Sequence, residues 1–376
     1  MDSPNPWRCS VEDVAVSEVP ATPLQEPATL TKPATGTEWD EKRFLAEATR
    51  LGRIVDKALA AECHDTEPVP ALHEGMTYAL GMDPEGGDAR GKRIRPVLCL
   101  LVSEALGGSV NQALPFATAI EMLHNFALVH DDIEDGDTQR RGRDSVHVRF
   151  GLAHGINIGD YMLARVFRHL HEAPEWDGPL RRSLLALLDE TLEELFSGQA
   201  LDIEARSRRS FTRREYTELV DRKTGSYLAA PLIGGALIAG APQAVLSALR
   251  ELGSALGPLF QIRDDLIDLT ADKGRGQAGN DIREGKRSFL VACVAEKCSP
   301  AEHDRLFTLL DTPREETAPA DVEEVIALYH RHGVVEEAEA YCEELRHRAE
   351  ESIRPLPREL SGLLSTVTML LARRTR

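Results

Sequence analysis

An apolar helical run that begins near Ala117 ends in His130-Asp131-Asp132-Ile133-Glu134-Asp135, and this acidic ending restricts the fold more than any other feature. At about 100° per residue, a helix places Asp131 and Asp135 within roughly 40° of each other, with Asp132 about 100° from Asp131. The same spacing returns in Phe260-Gln261-Ile262-Arg263-Asp264-Asp265-Leu266-Ile267-Asp268, behind the apolar stretch Leu252 to Ile262. One such cluster is a weak signal. Two clusters, each behind sequence that looks buried, are hard to explain as solvated faces. Two unit charges about 6 Å apart repel by about 3 kcal/mol at an effective dielectric near 20, so something cationic must offset them. Hard oxygen ligands without Cys or close His pairs suit Mg²⁺, which bridges a few carboxylates to substrate phosphates. The implied ligand is a diphosphate.

The remainder reads as an all-α protein. Ala, Leu, Glu and Arg dominate the 376 residues, of which 42% are hydrophobic and 5% aromatic. Long stretches carry the helical period, and no βαβ rhythm interrupts them. Residues 1–38 differ, because Pro4, Pro6, Pro20, Pro23, Pro27 and Pro33 lie among Ala, Thr, Ser and Glu without periodicity. That composition predicts a disordered tail, and Trp7, Val14, Val16 and Val19 are its candidate anchors for a protein partner. From 39 to 376 we expect a single-domain helical bundle around a central cavity, punctuated at Gly81–Gly91, Arg140–Asp144, Pro174 and Asp272–Gly285.

Charge and cysteine usage exclude several classes. A net charge of -18 disfavours nucleic-acid binding, which needs clustered positive charge. Cys9, Cys63, Cys99, Cys293, Cys298 and Cys342 form no C-x-x-C pair, as expected of reduced thiols in a cytoplasmic protein. No run approaches the roughly 18 apolar residues of a membrane span, and no export signal opens the chain.

Basic groups surround the acidic clusters in sequence. They are Gly91-Lys92-Arg93-Ile94-Arg95-Pro96, Arg140-Arg141-Gly142, Lys223-Thr224 and Lys286-Arg287. Singly these are ordinary surface charges; around two acidic clusters they read as clamps on phosphate oxygens.

With Ile158-Gly159-Asp160, Gly198-Gln199-Ala200-Leu201-Asp202, Lys223-Thr224-Gly225 and Gly285-Lys286 in the same order, the chain resembles the trans-isoprenyl (polyprenyl) diphosphate synthase family over roughly residues 88 to 290. The resemblance implies the isoprenoid synthase fold, a homodimer, and condensation of isopentenyl diphosphate with an allylic diphosphate. It implies three Mg²⁺ ions, held by Asp131, Asp135 and Asp264. The catalytic set carried over is Asp131, Asp132, Asp135, Lys223, Asp264 and Lys286. Arg140, Lys223 and Lys286 would touch the allylic diphosphate, with Thr224, Gln261, Asp265, Asp268 and Asp202 supporting that shell. Lys92, Arg95, His124 and Arg141 would hold isopentenyl diphosphate; His124 lies about 20° from Asp131 on the helical wheel.

Product length, by the same resemblance, is limited by Phe126 and Ala127 just before the first acidic motif, as in synthases of the C20 geranylgeranyl product, with C15 the nearest alternative. The wheel itself puts Phe126 far from the Asp131 face. Asp144-Ser145 replaces the family's Pro-Thr, and the Gly-Lys expected before Gly279 is displaced, leaving Lys273 or Arg275 as substitutes.

Rival readings have less behind them. Gly274-Arg275-Gly276-Gln277-Ala278-Gly279 fits the dinucleotide fingerprint formally, yet no parallel-sheet pattern surrounds it. Glu121-Met122-Leu123-His124 and Glu344-Leu345-Arg346-His347 have the spacing of a di-iron carboxylate site. A non-catalytic family member would not need both acidic clusters, and a terpene cyclase would not need Lys92, Arg95 and Arg141.

Overall fold

A computed structural model describes residues 38–64, 69–84, 87–270 and 278–373. The tail anchors Trp7, Val14, Val16 and Val19, together with Lys273 and Arg275, lie outside them. Among the described residues the first half carries α1 (Glu41–His64), α2 (Pro70–Ala79), α3 (Ile94–Ala105), α4 (Val110–Glu134), α5 (Val146–Phe150), α6 (Leu152–Glu172), α7 (Gly178–Arg206) and α8 (Arg213–Val220). The second half carries α9 (Ser226–Ile238), α10 (Gln243–Asp268), α11 (Asn280–Arg283), α12 (Phe289–Lys297), α13 (Pro300–Leu310), α14 (Pro319–Arg331), α15 (Val334–Ile353) and α16 (Arg358–Ala372). The helices form one compact unit that begins at Trp39. The fold is the all-α bundle expected; α4 begins earlier than the sequence indicated, at Val110.

Two helices make the core. In α4, Phe116, Ile120, Met122 and Leu123 are fully buried, and α9 buries Tyr227 to Ala236 almost without a break. A helix apolar on every side is stable only when wrapped, and α3, α6, α7 and α10 supply the wrapping. Helix starts are fixed locally: Asp177 caps α7, and Thr212 with Glu215 forms a reciprocal capping box at α8.

Between α8 and α9 the backbone widens into a π-helical turn, Asp221–Gly225, which contains Lys223 and Thr224. A π turn is wider than an α turn and needs room beside it. Glycines on both sides give it: a Cβ on Gly198 of α7 would stand 2.4 Å from the Lys223 nitrogen, and one on Gly257 of α10 2.5 Å from Gly225 Cα. Backbone contact at that range fixes the Lys223 turn between α7 and α10.

In a helix interior Gly→Ala ordinarily stabilises by about 0.5–1 kcal/mol. Gly257→Ala should do the opposite here, lowering stability by roughly 1–3 kcal/mol through overpacking against the π turn. Urea unfolding measures this, and an unchanged or raised midpoint contradicts the close approach.

Candidate active site

Both acidic clusters sit at helix C-termini. Asp131 to Glu134 close α4, and Asp264 to Asp268 close α10. The helix macrodipole is negative there, so it adds to the mutual repulsion of the carboxylates.

The fold sorts these carboxylates into two kinds. Asp132, Asp265 and Asp268 are buried, with exposures of 2%, 5% and 2%, and each accepts hydrogen bonds from the protein. Asp132 takes the Arg140 guanidinium, whose Nε lies 2.8 Å away. Asp265 accepts from Tyr216 Oη at 3.0 Å, the Phe289 amide at 3.2 Å and Gln261 Nε2 at 3.2 Å. Asp268 accepts from the Asp281 amide at 2.9 Å. Asp131, Asp135 and Asp264 remain half-buried. Asp132, expected among the catalytic carboxylates, is therefore placed behind Arg140 as its holder. Burial raises its pKa to about 6 against the pull of Arg140, and burial likewise raises Asp131.

Arg140 reaches back by a hairpin. Gln139–Arg140 pairs antiparallel with Arg143–Asp144 through Arg141 and Gly142, both at positive φ (54° and 77°). A two-residue turn of that hand suits a tight hairpin and folds the strand back toward the end of α4.

Cations from α7 and the later segments fill the space between the acidic ends. Lys223 Nζ lies 2.9 Å from Asp202, and Arg206 lies 2.6 Å from Asp135 and 3.7 Å from Asp202. Burial works against the charge on Asp202, but Lys223 and Arg206 overcome it and hold its carboxyl below the usual range. Lys223 is half-buried, which works against its charge, yet Asp202 and Asp131 keep it charged with a raised pKa. Lys286 lies 2.6 Å from Glu284 and 3.4 Å from Asp281, and Asp135 is near enough to raise its pKa further. Ion pairs thus link Lys223, Asp202, Arg206 and Asp135, while Lys286 pairs separately with Asp281, whose amide donates to Asp268.

About two turns earlier on the same face of α4 lies a basic nest. Arg95 Nη1 contacts His124 Nε2 at 3.4 Å and its guanidinium lies 4.9 Å from the Tyr227 ring centroid. Arg141 donates to the Ala89 carbonyl at 2.9 Å. Burial, then Arg95, Arg141, Arg140 and Arg93, push the His124 pKa well below its ordinary value. Arg141 is lowered as well, by burial first and then, against Glu121, by its arginine neighbours. Arg95 Nε is buried without a hydrogen-bond partner among the described residues. Surplus buried positive charge with an unmet donor fits an anion. Lys92 is exposed beside the nest in sequence.

Two of the basic residues read as clamps are structural instead. Arg93 is buried at 2.7 Å from Glu121 and 3.0 Å from Asp56 and donates to the Leu80 carbonyl. Arg287 is enclosed against Asp311 at 2.7 Å. The Arg93 pair also removes Glu121 from any di-iron site, and Glu344 and His347 stand exposed on α15. Gly279 caps α11 in the left-handed region, and Gly274 to Gln277 of the dinucleotide-like motif lie outside the described residues.

Phe126 is buried, edge-on to His130 at 4.8 Å and to Phe196 of α7 at 6.2 Å, while Ala127 is half-buried beside the core. Sequence reasoning missed Arg206 and Tyr227. Arg206 was detectable, since it lies four residues after Asp202 on the same helix face.

The donor set fits magnesium: hard carboxylate oxygens, with neither thiolate nor a close imidazole pair beside them. Among the described residues no three His, Cys, Asp or Glu side chains close into a ready-made cage.

A family model described as Polyprenyl synthetase matches residues 86–329. The chain belongs to the polyprenyl synthetase family. It is 35% identical over 270 residues to the short chain isoprenyl diphosphate synthase of Methanothermobacter thermautotrophicus, covering 71% of this chain and 81% of that one. To the geranylgeranyl diphosphate synthase of Methanosarcina mazei it is 40% identical over 213 residues, 56% of this chain and 65% of the other. The structure of geranylgeranyl pyrophosphate synthetase from Pyrococcus horikoshii superposes with a TM-score of 0.80 at 29% identity, over 89% of this chain and 99% of that one. Family membership discards the dinucleotide and di-iron readings on independent grounds. Among the described residues no helix is long and apolar enough to cross a membrane.

The depressed His124 gives a pH test. Unfolded imidazole takes a proton near pH 6.5 while the native ring does not, so its contribution to stability is full above that pH and is lost as pH falls below it. Between about pH 7.5 and pH 5.5 the urea midpoint of His124→Gln should fall less than that of the wild type. Equal losses would contradict a neutral buried imidazole.

Proposed function

We propose that this polyprenyl synthetase condenses isopentenyl diphosphate with an allylic diphosphate in a Mg²⁺-dependent reaction, giving the C20 geranylgeranyl product. What supports the reading is a set of half-buried aspartates, Asp131, Asp135 and Asp264, at two dipole-negative helix ends, with Arg206 paired to Asp135, Lys223 to Asp202 and Lys286 to Asp281. The half-buried Arg95–His124–Arg141 nest, with its unmet Arg95 Nε, supports a second anion site. When bound, the metal supplies Lewis-acid charge that stabilises the departing diphosphate.

The chain's own residues do the rest. Arg140, Lys223 and Lys286 hold the diphosphate that departs, in fixed positions that need no reorganisation as its charge develops. Lys92, Arg95, His124 and Arg141 hold isopentenyl diphosphate so that its double bond faces the allylic carbon. A neutral His124 suits a hydrogen-bond role, with Nε2 accepting from Arg95. Buried Phe126 and half-buried Ala127 limit the cavity for the growing chain. C20 also agrees with the relatives named geranylgeranyl diphosphate synthases, and C15 is the alternative product. We further propose a homodimer, in which a second copy covers the exposed Leu152 and Ile156 of α6 and Phe196 and Ile203 of α7.

Asp131→Ala and Asp264→Ala should each abolish condensation, assayed with labelled isopentenyl diphosphate, Mg²⁺ and dimethylallyl, geranyl or farnesyl diphosphate, while the helical circular dichroism is retained. Normal turnover by both variants would refute the site. Phe126→Ala should shift the chromatographic product distribution toward longer chains; an unchanged distribution removes this ring from the cavity floor.

A further inference from the structure

The clamps Arg140 and Lys286 come from opposite sides of the mouth, one from the hairpin after α4 and one from the turn after α11. A third element, the turn after α13, connects them. Gly285 (φ 64°) admits the Leu310 carbonyl to 2.4 Å from where a Cβ would stand, which only glycine allows. The next residue, Asp311, is fixed by Arg287 at 2.7 Å and Arg209 at 3.0 Å. The strap is anchored before it reaches the site.

Arg314, three residues further on, spans the mouth. Its Nη1 lies 3.0 Å from Asp137 and 3.6 Å from Glu284. Asp137 in turn lies 3.5 Å from Arg140, and Glu284 lies 2.6 Å from Lys286. The two carboxylates are 14% and 3% exposed, against 41% for Arg314. One guanidinium therefore bridges two largely enclosed acids, each the counter-charge of a clamp. The bridge borders a cleft of about 450 Å³ that also meets Asp135, Arg206 and Thr312.

We propose that Arg314 is a positioning residue that ties the Arg140 and Lys286 clamps together through Asp137 and Glu284 and so sets the affinity for the allylic diphosphate. The inference rests on the functional reading above. Without Arg314, Asp137 turns fully onto Arg140 and Glu284 onto Lys286, and both clamps are drawn from the diphosphate. The isopentenyl diphosphate nest, which shares neither acid, is left as it was.

The test is steady-state kinetics on the full chain, with inorganic pyrophosphate binding followed by calorimetry in Mg²⁺ as a readout free of turnover. Arg314→Ala should raise the allylic KM and weaken pyrophosphate binding by about fivefold, a scale set by one partly exposed ion-pair bridge, while the isopentenyl diphosphate KM moves less than twofold. Arg314→Lys should recover part of the loss. Asp137→Asn combined with Arg314→Ala should cost less than the sum of the two, because they act in one network. If the two KM values rise together, or neither allylic KM nor pyrophosphate binding moves, the strap is overturned and the functional reading stands. A wild-type chain that forms no prenyl product overturns both.

Discussion

Two long helices end in aspartates at their electronegative termini, and the rest of the structure answers that unfavourable arrangement. At roughly 6 Å each carboxylate pair costs about 3 kcal/mol, and the macrodipoles add to it. Fixed cations meet part of this demand. Lys223, Arg206, Lys286 and Arg140 are each tied to a carboxylate, and Lys223 and Lys286 stay charged despite burial. What remains, on half-buried Asp131, Asp135 and Asp264, is suited to ions that arrive with the substrate.

That demand explains the backbone. The π-helical turn that holds Lys223 is packed at glycine distance against Gly198 of α7 and Gly257 of α10. The Arg141-Gly142 turn returns Arg140 to the helix end it follows. Gly285 lets the α13 terminus close on the Lys286 segment.

Much of this was legible in the sequence. Long apolar helical runs without a βαβ rhythm pointed to the fold class, and the ordered motifs to the family. Less legible was which member of a charged pair does what. Lys92 and Arg93 are adjacent in the turn before α3, yet one is exposed and the other is buried in an ion pair with Glu121. Lys286 and Arg287 divide likewise in the segment between α11 and α12, whereas Asp131 and Asp132 are separated by a helical step of about 100°. Tyr227 and Arg314 matter through partners distant in the chain, and local periodicity carries no trace of those. The wheel set Phe126 apart from Asp131, and the structure packs its ring on His130 and Phe196.

The central claim is that the carboxylates of the two helix ends bind divalent metal and diphosphate together. Thermal unfolding with inorganic pyrophosphate, in Mg²⁺ or in EDTA, tests it most directly, since a ligand bound only by the native state raises the melting temperature. The account requires a clear rise with both present and little with either alone. An equal rise in EDTA would contradict it, because the basic residues would then suffice without the carboxylates.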